Sequence, residues 1–389
     1  MSLVEAIARD ADELTAIRRD LHAHPELGMV EHRTAAEVAR FLQEWGIEVH
    51  RGVGQTGVVG VLRAGNGAGA IGLRADMDAL PMHEAGDAPW RSQIAGRMHA
   101  CGHDGHTTML LGAARYLART RNFNGTVHFI FQPGEEGCGG ALAMLQDGLF
   151  ERFPCDAIFG MHNQPDLPVG EFRLTPGPAM AGGGFFDITI TGVGAHAARP
   201  EAGIDPVLVA CHIVTALQSI VSRTVSPREP AVISVTKIVG GDAHNVIPQT
   251  ARVGGTLRGM SKAVLADMQA AMHRITENVA AAFGATAVLA FGPTFIPLCN
   301  DPRQTAFAAE TAMALVGADQ VDPDAPAVMG SEDFAYMLDR VPGSFLRIGN
   351  GPGEGLHHPR YDFNDAAIPY GSALFAALVE RFLPRGTAL

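Results

Sequence analysis

Cysteine is scarce in this chain and not arranged in pairs. The five cysteines, Cys101, Cys138, Cys155, Cys211 and Cys299, are odd in number, widely spaced and without a Cys-x-x-Cys pair. That pattern argues against a disulfide framework, and each is expected as a buried thiol. Basic charge is also short: 29 Lys and Arg against 41 Asp and Glu leave a formal charge of −12. No stretch gathers Lys and Arg with aromatics on one face, and a phosphate backbone would be repelled, so nucleic acid is not an expected partner. The opening MSLVEAIARDADEL lacks the basic flank and apolar run of a secretory signal, and no uncharged apolar stretch reads as a membrane span. A cytoplasmic address with no membrane partner is the resulting expectation.

What is present is length and turn-forming residues. At 389 residues the chain exceeds what one core usually organises, so two domains are expected. The 46 Gly and 24 Pro call for many tight turns. The N-terminal part reads as an amphipathic helix over 4–28. A second helix follows from Thr34, whose spacing to Glu37 fits a capping box. Apolar strands at 57–62, 70–76, 125–132 and 156–162 alternate with helices at 105–119 and 138–150. That order predicts an α/β domain with a mostly parallel sheet and helices on both faces. After the Pro/Gly joint at 175–184 the pattern changes to alternating strands (from 186, then 231–238, 251–258 and 287–291) and two helices (from Asp205-Pro206, and 261–283). This is an α+β unit of its own. It is followed by a second joint at 292–301 and by helical and loop segments to the end. The organisation expected is a large domain over 1–181 and 297–389, with an inserted α+β domain over 182–296.

Four segments carry donors at predicted element ends. MHACGHDGHTT (98–108) packs His99, Cys101, His103, Asp104 and His106 just before a helix, with glycines that let Cys101 and His103 converge. Thiolate and imidazole suit Zn, Mn, Co or Ni. FIFQPGEEG (129–137) sets Glu135 and Glu136 after a buried strand, at the sheet edge where α/β sites form. Adjacent carboxylates repel unless cations lie near, which points to Glu136 as a ligand and Glu135 as a proton acceptor from water. His162 in FGMHNQP and one of His357 or His358 in GLHHPRYDFND complete the set. Five protein donors exceed a single tetrahedral zinc, so two divalent ions fit the count better. Such a site performs amide hydrolysis.

Through these motifs, and through LHAHPELG, LRADMDALP, GAHAARP, GGDAHNVIP, GTLRG and MGSEDFAYM, the chain resembles the dinuclear metallo-aminoacylase and carboxypeptidase superfamily nearly end to end. The resemblance is to its amidohydrolase branch of hippurate, indoleacetyl-amino acid and N-acetyl-diaminopimelate hydrolases. It implies Cys101, His103, Glu136, His162 and His357 as metal ligands and Glu135 as general base, leaving His358 at a variable position. In relatives outside the branch a His-x-Asp pair on the corresponding strand binds metal. Here Arg74 is read as standing for that His, and Asp76 becomes an orienting carboxylate. Gly134 departs mildly from relatives that carry a small side chain there.

The resemblance also implies a ferredoxin-like lid and dimerisation domain in a homodimer or higher homo-oligomer. His196 would stabilise the oxyanion, from its own or another chain, and Asn245 and Arg258 would contact the substrate carboxylate. The implied substrate is an N-acyl amino acid of hippurate or N-acetyl type. The alternatives are a metallo-dipeptidase or carboxypeptidase, and a non-catalytic metal or amino-acid binding protein. A purely structural metal site would be a closed set of four ligands, which this is not.

Overall fold

The computed structural model describes residues 1–385. The chain divides into two compact units: Met1–Gly177 with Cys299–Pro326 and Tyr336–Leu389, and Pro178–Leu298 with Ala327–Ala335.

The first unit is built on an eight-stranded mixed sheet. Its spatial order is Glu48–Val53, Gly57–Ala64, Gly125–Gln132, Ala70–Asp76, Ala157–Pro165, Gly343–Gly351, Phe172–Leu174 and Val321–Asp322. The four central strands, 125–132, 70–76, 157–165 and 343–351, run parallel; Gly57–Ala64 and Phe172–Leu174 pair antiparallel to their two edges, Glu48–Val53 antiparallel to the first of these and Val321–Asp322 parallel to the second. Alternate residues Leu73, Phe129 and Phe159 join one continuous core with helices Ala11–Ala23, Ala35–Leu42 of the third helix, His103–Thr120, Pro302–Val316 and Ile368–Phe382. Ile130 and Ile158, of opposite parity, are buried outside that cluster, so both faces of the central strands are covered. That double burial is why these strands read as unbroken apolar runs.

Several sequence expectations are corrected here. The segment after 297 is not only helix and loop, because it supplies the central strand Gly343–Gly351. The single helix expected over 4–28 is two helices, Leu3–Ala8 and Ala11–Ala23. The capping box at Thr34 does not form. The helix starts at His32, and its Arg33 and Thr34 N–H groups donate to the Glu26 carboxylate at 3.0 and 2.8 Å. Helix 138–150 is split into Gly140–Gln146 and Leu149–Arg152. None of the five cysteines forms a disulfide, yet only Cys101 is buried: Cys155 is half-buried and Cys138, Cys211 and Cys299 are exposed.

In the second unit the strands Gly182–Thr191, Ala231–Gly240, Thr250–Gly259 and Thr286–Phe295 form an antiparallel sheet ordered second, third, first, fourth along the chain. With helices Pro206–Ser219 and Lys262–Ala282 this is the ferredoxin-like βαββαβ arrangement. Asp205 and Ser261 cap the two helices. The strand Gly182–Thr191 alternates buried Phe186, Ile188 and Ile190 with exposed Asp187, Thr189 and Thr191. Its inward residues meet Val209, Ile213, Leu217, Met268 and Met272 of the helices. The expectation that no stretch approaches a membrane span is corrected too: Pro206–Thr224 is long and apolar enough by composition, with hydropathy 1.4. One face of it, with Val209, Ala210, Ile213 and Leu217 buried, packs on this sheet, while Leu208 is exposed.

Candidate metal centre

Three of the four donor segments leave the C-terminal ends of the parallel strands 70–76, 125–132 and 157–165, or the N-terminus of the helix that follows. This is where an open α/β sheet gathers a site. Gly102 turns the chain between Cys101 and His103 with φ 91 as the residue before helix His103–Thr120. A β-carbon there would lie 2.5 Å from Asn163 Oδ1 and 2.7 Å from the Tyr361 hydroxyl. Only glycine permits both the turn and that approach.

The five expected ligands come together. Donor atoms of Cys101, His103 and His162 lie within 4.8 Å of one another, as do those of Cys101, Glu136 and His357. Cys101 belongs to both groups. His103, Glu135 and Glu136 form a further set at the same spacing, which puts the expected base beside the ligands. Cys101 Sγ is 3.3 Å from His162 Nε2, and His357 Nε2 is 3.2 Å from Glu136 Oε1. His357 has φ 63 and is tied to the 98–101 loop by its N–H, which donates to Ala100 O at 2.8 Å. A non-glycine residue held at positive φ beside such donors is strain located at a functional position. His358, the other member of the pair, turns to Glu354 at 3.5 Å.

These residues fit divalent metal ions. His103 is fully buried, and its Nε2 has no hydrogen-bond partner. Such an orphan is costly unless a ligand meets it. The surroundings also retain positive charge: hydrogen bonds to Cys101 and Glu136 raise the His357 pKa to about 10. Burial, with His106 alongside, pushes His162 well below the ordinary histidine range, which keeps it a neutral lone-pair donor.

Two carboxylates hold the set, and the structure divides their work differently from the sequence reading. Asp78, which that reading passed over, lies 3.1 Å from His103 Nδ1, and its other oxygen accepts the Glu136 N–H at 2.9 Å. One side chain thus orients one expected ligand and pins the backbone of another. Asp76 accepts from Arg74 Nη1 at 2.7 Å and pairs with His106 Nδ1 at 2.6 Å, standing 3.8 Å from His103 Nε2. The alternation of LRADMDALP was the available signal: Asp76 and Asp78 lie two apart and can reach the same end of the strand. Gly134 has φ 55, and a β-carbon there would be 2.7 Å from Met29 Sδ, which accounts for glycine in this chain.

Behind the ligands lies a buried ionic network. Arg18, fully buried, reaches Asp365 at 2.7 Å, Asp362 at 3.0 Å and Asp104 at 3.5 Å. His22 Nδ1 is 2.8 Å from Asp104, and its Nε2 is 3.4 Å from Glu84. Burial pulls the His22 pKa down, but Asp104 and Glu84 more than offset it and hold it at about 9. The network ties helix Ala11–Ala23 to the residue after His103 and to the segment following His357.

The remaining expected residues lie in the second unit. His196 pairs with Val246, and the Ala197 N–H donates to Asn245 O at 3.0 Å. His196 and Asn245 line one open concavity of about 880 Å³ with Asp242, Gln249 and Arg252. Arg258 does not line it. It pairs with Gly183, whereas Thr250 and Arg252, at the concavity, pair with Thr191 and Thr189. Six residues of strand put Arg258 about 20 Å from Arg252.

Known proteins agree with this architecture. A profile of peptidase family M20/M25/M40 matches residues 72–381. The hippurate hydrolase of Campylobacter jejuni is 39% identical over 383 residues, covering 98% of this chain and 100% of its own. The N-acetylcysteine deacetylase of Bacillus subtilis is 40% identical over 368 residues, covering 94% and 95%. The crystal structure of a Bacillus subtilis protein described as a dinuclear metal-binding peptidase of the M20 family superposes with a TM-score of 0.84 at 36% identity, covering 97% of this chain and 99% of that one. With the profile spanning most of the sequence and these relatives aligned over nearly all of it, the chain belongs to peptidase family M20/M25/M40.

Proposed function

We propose that this chain is a metal-dependent amidohydrolase that cleaves N-acyl amino acids, of hippurate or N-acetyl type, using two divalent ions per subunit. The observation that carries the reading is the membership of Cys101 in two donor groups, one with His103 and His162 and one with Glu136 and His357, beside Glu135. A donor shared by two groups could lie between two neighbouring cations and offset their repulsion. Ions held there would supply Lewis acidity to the amide carbonyl and a lowered pKa to water. The chain's own residues do the rest. Glu135 takes the proton from the attacking water and returns it to the leaving nitrogen. Asp78 holds His103 in the orientation that presents Nε2. The relatives act, by name, on hippurate and N-acetylcysteine, whose shared chemistry is an acylated α-amino acid.

Binding of the substrate is assigned to His196, Asn245 and Arg258. Along the strand about 20 Å lies between Arg258 and Arg252, which lines the concavity with His196 and Asn245, and an N-acyl amino acid is shorter than that. That spacing favours a homodimer in which His196 and Asn245 serve the partner's site while Arg258 serves its own. The test is turnover of hippurate, N-acetyl amino acids and dipeptides by the metal-loaded protein and by Glu135→Gln. Hydrolysis of the acyl amino acids, with full metal content but activity down by a factor of about 10³ or more in the variant, is expected. Turnover restricted to dipeptides with free amino termini would overturn the substrate class.

A further inference from the structure

His106 is buried, carries chemistry, and has no part in the reading above. Its ring lies among three elements that bear the site. Nδ1 is 2.6 Å from Asp76 Oδ1 at the end of strand Ala70–Asp76. Nε2 accepts the backbone N–H of Asn163 at 3.0 Å, while the side-chain amide of Asn163 turns its Oδ1, itself only an acceptor, to 2.7 Å from that nitrogen. That amide reaches the Tyr361 hydroxyl at 2.5 Å. A backbone N–H can only donate, so Nε2 bears the lone pair and Nδ1 the proton given to Asp76. Asp76 is itself fixed by Arg74, whose Nε donates to Gln132 Oε1 at 2.8 Å.

Asn163 needs this partner because of where the sheet ends. Pairing between strands 70–76 and 157–165 stops at Gly160, so the next backbone groups on that side have no strand to meet. Asn163 is also the residue that aims His162. Its carbonyl accepts the His162 Nδ1–H at 2.7 Å, which leaves the Nε2 lone pair directed at Cys101 Sγ, 3.3 Å away. The His106 and His162 rings meet edge to face with centroids 4.5 Å apart. The absence of a β-carbon at Gly102 lets Asn163 and Tyr361 press against the ligand loop.

We propose that His106 is a positioning residue for the metal centre. By accepting the backbone N–H of Asn163, it fixes the main chain whose carbonyl orients His162 toward an ion that Cys101 would also hold. The proposal rests on the reading of His162 as a ligand. It concerns metal binding and does not depend on which amide is cut.

The amide of Asn overlays the Nδ1 position of histidine and that of Gln the Nε2 position, so two variants separate the two ends of the ring. His106→Asn keeps the contact to Asp76 and loses Asn163, whereas His106→Gln keeps Asn163 and loses Asp76. Apoprotein is titrated with Co²⁺, reading affinity by chelator competition and geometry from the visible absorption bands. His106→Asn is expected to bind one ion about 10 to 100-fold more weakly with altered bands, and His106→Gln to stay within about threefold of wild type. Wild-type affinity and bands in His106→Asn overturn the proposal, as does an equal loss in His106→Gln. His162→Ala serves as the control: if it binds Co²⁺ like wild type, the ligand reading has failed instead. If His106→Asn does not fold by circular dichroism, His106→Phe keeps the volume of the ring and removes the acceptor for the Asn163 N–H. A several-fold loss of affinity in that variant supports the proposal, and none overturns it.

Discussion

Replacing His22 by Gln should remove a pH-dependent part of the stability of the large unit. The His22 pKa is held at about 9 against an ordinary 6.5. That difference corresponds to about 3 kcal/mol favouring the folded state when the ring is protonated. The folded-state pKa is the higher one, so this contribution is complete below about pH 6.5. It falls by about 1.4 kcal/mol per pH unit above that and is gone once pH passes about 9. Asp104 governs the opposite limb. Burial opposes its ionisation, but His22 and Arg18 hold it well below the ordinary carboxylate range, so its contribution exists above about pH 4 and is lost in acid. The assay is urea unfolding of wild type and His22→Gln at pH 6, 7, 8 and 9. Protonation of the metal ligands affects both proteins alike and cancels in the difference. The wild-type advantage should shrink steadily across that range. Parallel stability curves would refute the claim that Asp104 and Glu84 raise the His22 pKa.

Arg18→Met leaves Asp104, Asp362 and Asp365 without their shared cation, and should cost about 3–5 kcal/mol in unfolding free energy. Gly134→Ala must displace Met29 and accept a positive φ, so a loss of about 1–3 kcal/mol by thermal melting is expected, with part recovered in the Gly134→Ala, Met29→Ala double variant. Elemental analysis of active protein should find two divalent ions per chain, with activity lost to chelator and restored by metal, and a fully active one-ion protein would contradict the two-group arrangement. Mixing inactive Glu135→Gln with inactive His196→Ala under subunit exchange should restore about a quarter of wild-type activity if His196 serves the neighbouring chain, and none if it serves its own.

The central strands were legible because burial on both faces leaves uninterrupted apolar runs, as in 125–132 and 70–76. Strand Gly343–Gly351 was not. Three glycines and Arg347 break up its apolar run, and its place in the sheet depends on pairing with Ala157–Pro165, far away in sequence. The cap at Thr34 failed for a related reason. Glu26, outside any local capping pattern, folds back onto the Arg33 and Thr34 N–H groups and supplies the acceptor first. At the site, donor identity was readable because Cys, His and Glu clustered at strand ends. The supporting carboxylates were not, since Asp76 and Asp78 differ only in which partner each meets, His106 or His103. Spacing along a strand says which face a residue takes, and not which ring waits there.

The large unit is interrupted in sequence, and this has a consequence for synthesis. Cys101, His103, Glu136 and His162 leave the ribosome before the second unit is made, and His357 only after it. At about 5–20 residues per second the wait is roughly 10 to 40 s. Throughout that interval the nascent chain carries four of its five proposed metal donors, one of them a thiol, without the histidine that closes the set. The order of the genetic message therefore leaves the centre open to thiol oxidation or to a competing ion until the last tenth of the chain arrives.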